Sequence, residues 1–412
     1  MLMNTTTIHL AGLGCVGQGL YDLIQRRPEA GFAINRIAVK NPDKIRRAAD
    51  APLGFRPEFL FEGGAPDVIV EAIDDADTAY QMAIQALESG IPLVSANKKM
   101  LALYLSDLLA LQQRTGTPLL YEAAVCGAIP ILRTLSDHYS SDRIQRIEAI
   151  VNGTTNFILT QQRQHNLSYV DALGKAQELG FAESDPTNDV EGFDAAFKTI
   201  LLAWQAFGVI LSLDDIPRWG ITTLGTADAA FAAQQGGRIR LVATLLPVGE
   251  QLVSTVLPTL VGSMHPLYGV ELEGNAVALE LEAAGKHVLS GPGAGAFPTA
   301  SALLADLHRL RDGYRYPTPL GKTPLKKAVL NEIGLPVRLR APEGLVEVLI
   351  PRRDRQGLTP ADEDSALEGV LSLHSILRFG QDLRKAGVSL LALGAPQSLL
   401  AEEQPLLQHV SV

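Results

Sequence analysis

Five carboxylates and one amine crowd a single stretch of this 412-residue chain, Leu179–Leu202, which reads LGFAESDPTNDVEGFDAAFKTILL. The acids are Glu183, Asp185, Asp189, Glu191 and Asp194; the amine is Lys198. Carboxylates in a loop can hold an ammonium group of a substrate. A lysine is protonated at neutral pH and can give a proton to an oxygen that gains charge. Asp194 and Lys198 are four residues apart, so a helix would set them on one face. An ordinary surface salt bridge has the same spacing. What opposes that reading is the predicted helix Asp194–Phe207, which is almost wholly apolar apart from this pair. A charge on such a helix is either buried in a pair or kept for use.

The surrounding elements are punctuated clearly. Ser168–Leu179 reads as a capped helix stopped by Gly180. Pro186 and Gly192 keep the acidic loop irregular. Near the start of the chain, the apolar strand Ile8–Ala11 runs into Gly12-Leu13-Gly14-Cys15-Val16-Gly17, and helical spacing follows at Val16, Leu20, Leu23 and Ile24. Strand, glycines and helix are the context in which GxGxxG binds a dinucleotide, with the pyrophosphate at the helix N-terminus. The second strand, Ile34–Val39, ends in Lys40-Asn41 with Arg46 and Arg47 behind it, where NAD enzymes usually carry an acid. Cations there suit a 2′-phosphate, so NADP is favoured over NAD; solvated loop charges are the alternative.

Two further strands, Asp67–Glu71 and Ile91–Ser95, read as buried and parallel. The second delivers Ala96-Asn97-Lys98-Lys99 at its carboxyl end, where open α/β sheets bind ligands. Leu119–Leu132 (LLYEAAVCGAIPIL) is a glycine-containing turn after a glutamate. Arg143–Ile150 is a strand ending in Asn152-Gly153-Thr154-Thr155-Asn156, read both as a helix cap and as a polar rim able to touch nicotinamide or substrate. Strands at Ile239–Leu246, Leu252–Leu257, Ala276–Glu282 and His287–Leu289 alternate as in an antiparallel sheet. Gly291-Pro292-Gly293-Ala294-Gly295 precedes the helix Thr299–Leu310. No histidine has metal-ligand spacing.

The Leu179–Leu202 stretch closely resembles the signature of the homoserine dehydrogenase family, and the resemblance spans roughly residues 8–305 in separate motifs. It implies that Glu183 binds the substrate's amino group, with Asp189 or Asp194 assisting. Asp194 and Lys198 would sit beside the reacting carbon, Lys198 as proton donor. Lys98 would assist proton transfer and cofactor binding. The cofactor contacts expected are Gly12, Gly14, Cys15, Val16, Gly17, Lys40, Ser95, Lys98 and Gly295. In the family the turn after the glutamate binds a monovalent cation such as sodium, which maps to Glu122, Val125, Gly127 and Ile129. A buried Glu122 hydrogen-bonded to backbone is the alternative. Cys126 and Ala128 stand where the family usually has glycines, and Asp74-Asp75 where it has two more, so no role is assigned to Glu71 or to these aspartates. The implied reaction is reversible reduction of L-aspartate 4-semialdehyde to L-homoserine by NAD(P)H, in threonine, methionine and isoleucine synthesis, by a homodimer.

The fold expected is α/β: a Rossmann-type dinucleotide-binding domain over 1–130, completed by about 296–315; an α+β catalytic and dimerisation domain over 131–295; and a small α+β extension over 316–412. The extension is read as a hairpin-like Pro336–Pro351, a long helix around Ala361–Ala386 with the charged start Asp362-Glu363-Asp364, and a strand Val388–Leu393. It is either a divergent regulatory module or a packing extension. A net charge of −10 disfavours nucleic acid. Two cysteines exclude a disulfide framework and suit a reducing compartment. Neither a secretory signal nor a membrane span is expected, and a cytoplasmic enzyme acting on a small molecule is. Two rival readings are an oxidoreductase of another small amino acid and an inactive nucleotide-binding regulator. Glu183 bears on the first, because it demands a cationic substrate. The joint presence of Lys98, Glu183, Asp194 and Lys198 opposes the second.

Overall fold

The computed structural model describes residues 5–43, 46, 51–319, 325–361 and 366–399. The first sheet holds β1 (Thr6–Ala11), β2 (Phe32–Ala38), β3 (Leu53–Gly54), β4 (Val68–Glu71), β5 (Leu93–Ser95) and β6 (Leu119–Leu120). All pairings are parallel, in the order β3-β2-β1-β4-β5-β6. Helices α1 (Cys15–Arg26), α2 (Ala76–Glu88), α3 (Lys98–Leu103) and α4 (Leu105–Thr115) alternate with the strands. Every residue of β4 is buried, as a parallel strand covered on both faces requires. The strand order reverses between β1 and β4, which opens a crevice at their carboxyl ends.

The chain leaves this sheet through the short helix α5 (Ile131–Arg133) and enters β7 (Ile144–Ile150). Then come α6 (Gly153–His165), α7 (Tyr169–Glu178), α8 (Thr187–Val190), α9 (Phe193–Phe207) and α10 (Thr226–Gln234). The strands β8 (Gly237–Val248), β9 (Gln251–Gly262), β10 (Gly274–Leu281) and β11 (Gly285–Pro292) join β7 in an antiparallel array, β11-β10-β7-β8-β9. Helix α9 lies against this array, and α11 (Ala296–Arg311) returns to pack along α1.

The remaining residues form β12 (Lys326–Lys327), β13 (Ile333–Arg340), α12 (Leu345–Leu349), β14 (Arg355–Pro360), β15 (Ala366–Ser372), α13 (Leu373–Lys385), β16 (Ser389–Ala392) and β17 (Gln397–Ser398). They build a core of their own around Leu335, Val337, Leu371, Ile376 and Leu390, which also takes in Trp219. Strand β16 meets β9 in parallel at Ala392 and Thr259, so the second sheet runs on through β16-β13-β15-β14.

Two expectations for this end of the chain are corrected. The helix expected over Ala361–Ala386 begins only at Leu373, with Ser372 as its cap accepting from the Ser375 amide at 3.2 Å. Ala366–Ser372 is a strand instead. Gly369, costly in a helix, suits it, since a Cβ there would lie 2.7 Å from the Leu358 amide nitrogen of the hairpin partner. Asp362, Glu363 and Asp364 lie outside the described residues. Pro336–Pro351 is not a hairpin either. Strand β13 is flanked by β15 and β16, both distant in sequence, and the chain after it coils into α12.

Candidate active site

The centre of the site is the carboxylate of Asp194, in the first turn of α9 and buried. Gly192, at φ 78°, lets the chain double back from α8 into α9. Lys198 lies one turn further on, and its Nζ is 2.7 Å from Asp194 Oδ2. Lys98 arrives from the first sheet: it opens α3 at the carboxyl end of β5, and its Nζ is 2.6 Å from Asp194 Oδ1. Asn97 caps α3 by accepting from the Met100 amide at 2.9 Å, which fixes where Lys98 emerges. Two ammonium groups distant in sequence thus share one carboxylate. Lys198 Nζ also donates to the Val151 carbonyl and is buried, whereas the Lys98 side chain is 43% exposed.

Asn152 ties the cluster to the acidic loop. Its Nδ2 donates to Asp194 Oδ2 at 2.8 Å and to Asp189 Oδ1 at 2.7 Å, while its Oδ1 caps α6 at the Thr155 amide. The rest of the NGTTN motif holds neighbouring segments. Thr154 donates to the Phe181 carbonyl at the root of the acidic loop, and Asn156 donates to the carbonyls of Val270 and Gly274. Glu183 stays apart. It is exposed, its carboxylate has no partner among the described residues, and only its backbone carbonyl is held, by Gln177.

The electrostatics follow from the count of charges. Burial alone would push Asp194 up, but Lys198 and Lys98 outweigh it and hold its carboxyl far below the ordinary range. The charge of Asp194 in turn outweighs burial at Lys98 and raises that ammonium above the usual lysine value. Asp189 moves the other way, raised by burial and by the charge of Asp194.

The glycine turn borders this cluster through Ala72-Ile73. A Cβ at Gly12 would lie 2.4 Å from the Ala72 carbonyl oxygen, and Asn97 Nδ2 donates to the Ile73 carbonyl at 3.0 Å. A Cβ at Gly17 would lie 2.0 Å from the Gly12 carbonyl oxygen, so α1 packs too close for any other residue. At Gly14 a Cβ would meet nothing within 4 Å, and α1 starts with no side-chain cap and no acid in its first turn. Free amides facing open space fit a pyrophosphate. Cys15 is exposed and Val16 half-buried there. Helix α11 likewise begins uncapped, after Gly295. Lys40 is exposed at the end of β2, Arg46 donates to the Asn41 carbonyl, and Arg47 lies outside the described residues. Asp75 caps α2 at the Thr78 amide, at 2.8 Å, which turns its charge onto that helix.

Two expected site residues are placed differently. Ser95 is fully buried, and its hydroxyl is spent between Glu71 and the Asn97 amide, at 3.0 Å from the latter, so that hydroxyl is not free for a cofactor. Glu122 carries the second correction. Its two oxygens accept from the Leu132 and Arg133 amides at 2.8 and 2.9 Å, from Arg133 Nε at 3.2 Å and from the Tyr316 hydroxyl at 3.3 Å. A carboxylate committed to four donors does not fit as a ligand for a cation. The carbonyl of Ile129 accepts from the Ile131 amide, and that of Glu122 from the Val125 amide. Val125 and Gly127 sit in the same turn, where Cys126 takes φ 57° in place of a glycine.

Sequence profiles match this architecture in two pieces. One, described as "Homoserine dehydrogenase, NAD binding domain", covers residues 12–122; the other, described as "Homoserine dehydrogenase", covers residues 130–308. The homoserine dehydrogenase of Bacillus subtilis (strain 168) is 38% identical over 315 residues, 74% of this chain and 72% of that protein. The chain belongs to the homoserine dehydrogenase family. It is therefore an NAD-dependent type of oxidoreductase acting on a CH–OH group, with a nicotinamide dinucleotide as cofactor. The Lactococcus lactis member is 35% identical over 359 residues, covering 83% of this chain and 81% of that one. The crystal structure of a homoserine dehydrogenase from Thiobacillus denitrificans superimposes with a TM-score of 0.80 at 28% identity, over 95% of this chain and 98% of that one. The likeness in fold thus extends into the C-terminal strands, beyond the reach of the sequence motifs. A hyperthermophilic archaeal homoserine dehydrogenase solved in complex with NADPH matches with a TM-score of 0.64 at 26% identity, over 76% of this chain and 99% of that one. Among the described residues no helix is long and apolar enough to cross a membrane.

Two residues central to this geometry were not read from the sequence in the part they play. Asn152 was visible within its motif but not as the link between two aspartates. Glu71 closes the apolar run DVIVE, and that was its signal. It is fully buried and accepts from Ser95, from the Ile73 amide at 2.8 Å and from Asn97 at 3.4 Å. Burial raises its pKa to about 7 against those hydrogen bonds.

Proposed function

We propose that the enzyme reversibly reduces L-aspartate 4-semialdehyde to L-homoserine, with NADPH preferred over NADH, and acts as a homodimer. The observation that carries this reading is the pair of lysines on opposite oxygens of Asp194. Nζ of Lys198 has three protons and two acceptors, Asp194 and the Val151 carbonyl. Its third proton is free for a substrate carbonyl oxygen, and in reduction that proton passes to the nascent alkoxide. Lys98, more exposed and kept charged by Asp194, adds positive potential at the same oxygen. Glu183, unpaired in the loop above, takes the substrate ammonium, and Asp189 assists through the Asn152 link. The bound nicotinamide supplies or accepts the hydride. The uncapped start of α1, Gly295 and Lys40 hold the dinucleotide, Lys40 beside a 2′-phosphate. In the oxidative direction the same Nζ takes up the hydroxyl proton as the hydride leaves.

The test is spectrophotometric. NADPH oxidation is followed with L-aspartate 4-semialdehyde and with other small aldehydes that lack an amino group. The semialdehyde should be turned over and the others should not. Lys198→Ala should lose about 10²–10⁴-fold in turnover while NADPH still binds in a fluorescence titration. Turnover unchanged in this variant would reject the proton-donor role, and inertness toward the semialdehyde would reject the substrate.

A further inference from the structure

A cavity of about 640 Å³ lies between the acidic loop and the C-terminal helix α13. Its floor includes Glu191 and Phe193, which flank the Gly192 bend, and Arg218. Its wall includes Ile376, Leu377 and Arg384 of α13. The charges there are unevenly matched. Arg384 Nε pairs with Glu191 Oε2 at 3.1 Å, and Arg384 also donates to the Arg218 carbonyl. Glu191 is further occupied by the Thr222 hydroxyl at 2.9 Å. Arg218 is left over. Its guanidinium lies over the Phe193 ring, 3.9 Å from the centroid, and makes no ion pair or hydrogen bond among the described residues; its Nε is buried without a partner. Of its five donors, the Nε–H is buried with no acceptor among the described residues, which carries a desolvation cost. Burial and the neighbouring Arg384 work against its charge and outweigh the support of Glu191 and Asp214, neither of which it contacts.

We propose that this cavity binds a small organic anion, with its carboxylate or phosphate on the Arg218 guanidinium and its apolar body against Ile376 and Leu377. The volume falls in the range of small-molecule sites. A bidentate oxyanion is what a free guanidinium fork fits best. The anion would also relieve the repulsion between Arg218 and Arg384. The site is coupled to the chemistry by contact. A Cβ at Gly192 would lie 3.2 Å from Arg218 Cγ, so the arginine stem rests on the bend from which Asp194 projects. Occupancy therefore braces that bend, and the substrate KM shifts while NADPH affinity does not.

The test is calorimetric and uses the full chain without substrates, so its result is independent of the substrate assigned above. Malonate and inorganic phosphate are titrated separately, with sodium chloride at matched ionic strength. Saturable binding of one or both to the wild type is expected, and the preferred probe distinguishes a carboxylate from a phosphate ligand. Arg218→Gln should weaken that binding at least tenfold without loss of basal turnover. Asp214→Asn, at the exposed rim, should tighten it severalfold by removing a competing charge. Heat that only tracks ionic strength, or affinities unchanged in both variants, would overturn the proposal.

Discussion

Asp194 and Asp306 are both buried aspartates on long helices, each near a cation, and they behave in opposite ways. Asp194 has two ammonium groups to itself, at 2.6 and 2.7 Å. Asp306 shares one guanidinium, Arg133, with a second buried carboxylate, Glu122, and lies 3.9 Å from it. Burial raises the pKa of Asp306 to about 8, and the charge of Glu122 adds to the rise. Asp194 moves far down. The difference is the number of cations per carboxylate, together with the presence of an opening. One of the lysines on Asp194 reaches solvent; the Glu122–Asp306 group is enclosed, with Tyr121 and Tyr316 packed beside it. Two cations on one carboxylate at an open cleft can move a proton or gather negative charge. A surplus of carboxylates in an enclosed core is a hydrogen-bonded joint, here between the turn after β6 and helix α11, since Asp306 accepts from the Glu122 amide at 2.9 Å.

That contrast can be broken in four places. Asp194→Asn should have the largest effect. It strands two ammonium groups, and breaking a buried pair costs about 3–5 kcal/mol. Urea unfolding should show a loss of that order, and turnover should fall at least ~10²-fold. A stable, active variant would equate the two centres. Next, Asn152→Ala removes hydrogen bonds to two carboxylates, each worth about 1.5–3 kcal/mol. A fall in kcat/KM of roughly 10–100-fold is expected from that range, with NADPH affinity unchanged by fluorescence titration.

Asp306→Asn should be milder and should separate stability from activity. The folded-state pKa of Asp306 is raised, so the folded chain holds a proton that the unfolded chain releases. Stability from this group is full at acid pH and is lost as pH rises toward about 8. The variant should flatten the fall in unfolding free energy between pH 5 and 8 and keep wild-type turnover. A fall that persists undiminished would show that Asp306 is not its source. Glu71→Gln should do least. Glu71 is a third case, fully buried with no cation paired to it among the described residues, and its pKa of about 7 places a titration beside Asn97 and Lys98. An inflection near pH 7 in the rate profile should disappear, with less than about a threefold change at pH 6, where Glu71 is mostly protonated.

Much of the first sheet was legible in the chain, because its signals are local. The glycines of Gly12–Gly17 follow a buried strand and precede an amphipathic helix, and that order serves one purpose. The pairing of Asp194 with Lys198 was equally readable, being one helical turn. The C-terminal region was less so. Ala366–Ser372 lacks a clean alternation, and only its partners β13 and β14 make it a strand. The commitment of the Glu122 carboxylate was hidden for a related reason: its donors, the amides of Leu132 and Arg133, lie ten and eleven residues on, in α5.

The sequence by itself determined the elements of the first sheet, the nucleotide turn and the types of residue able to move a proton or hold an ammonium group, since these depend on periodicity, glycine placement and spacing within one helix. Only the tertiary structure decided that Lys98 meets Asp194 from the opposite side, that Asn152 spans two aspartates, and that Arg218 has no acceptor among the described residues. Those facts are sums over charges brought together from different strands and helices, and no spacing along the chain encodes such a sum.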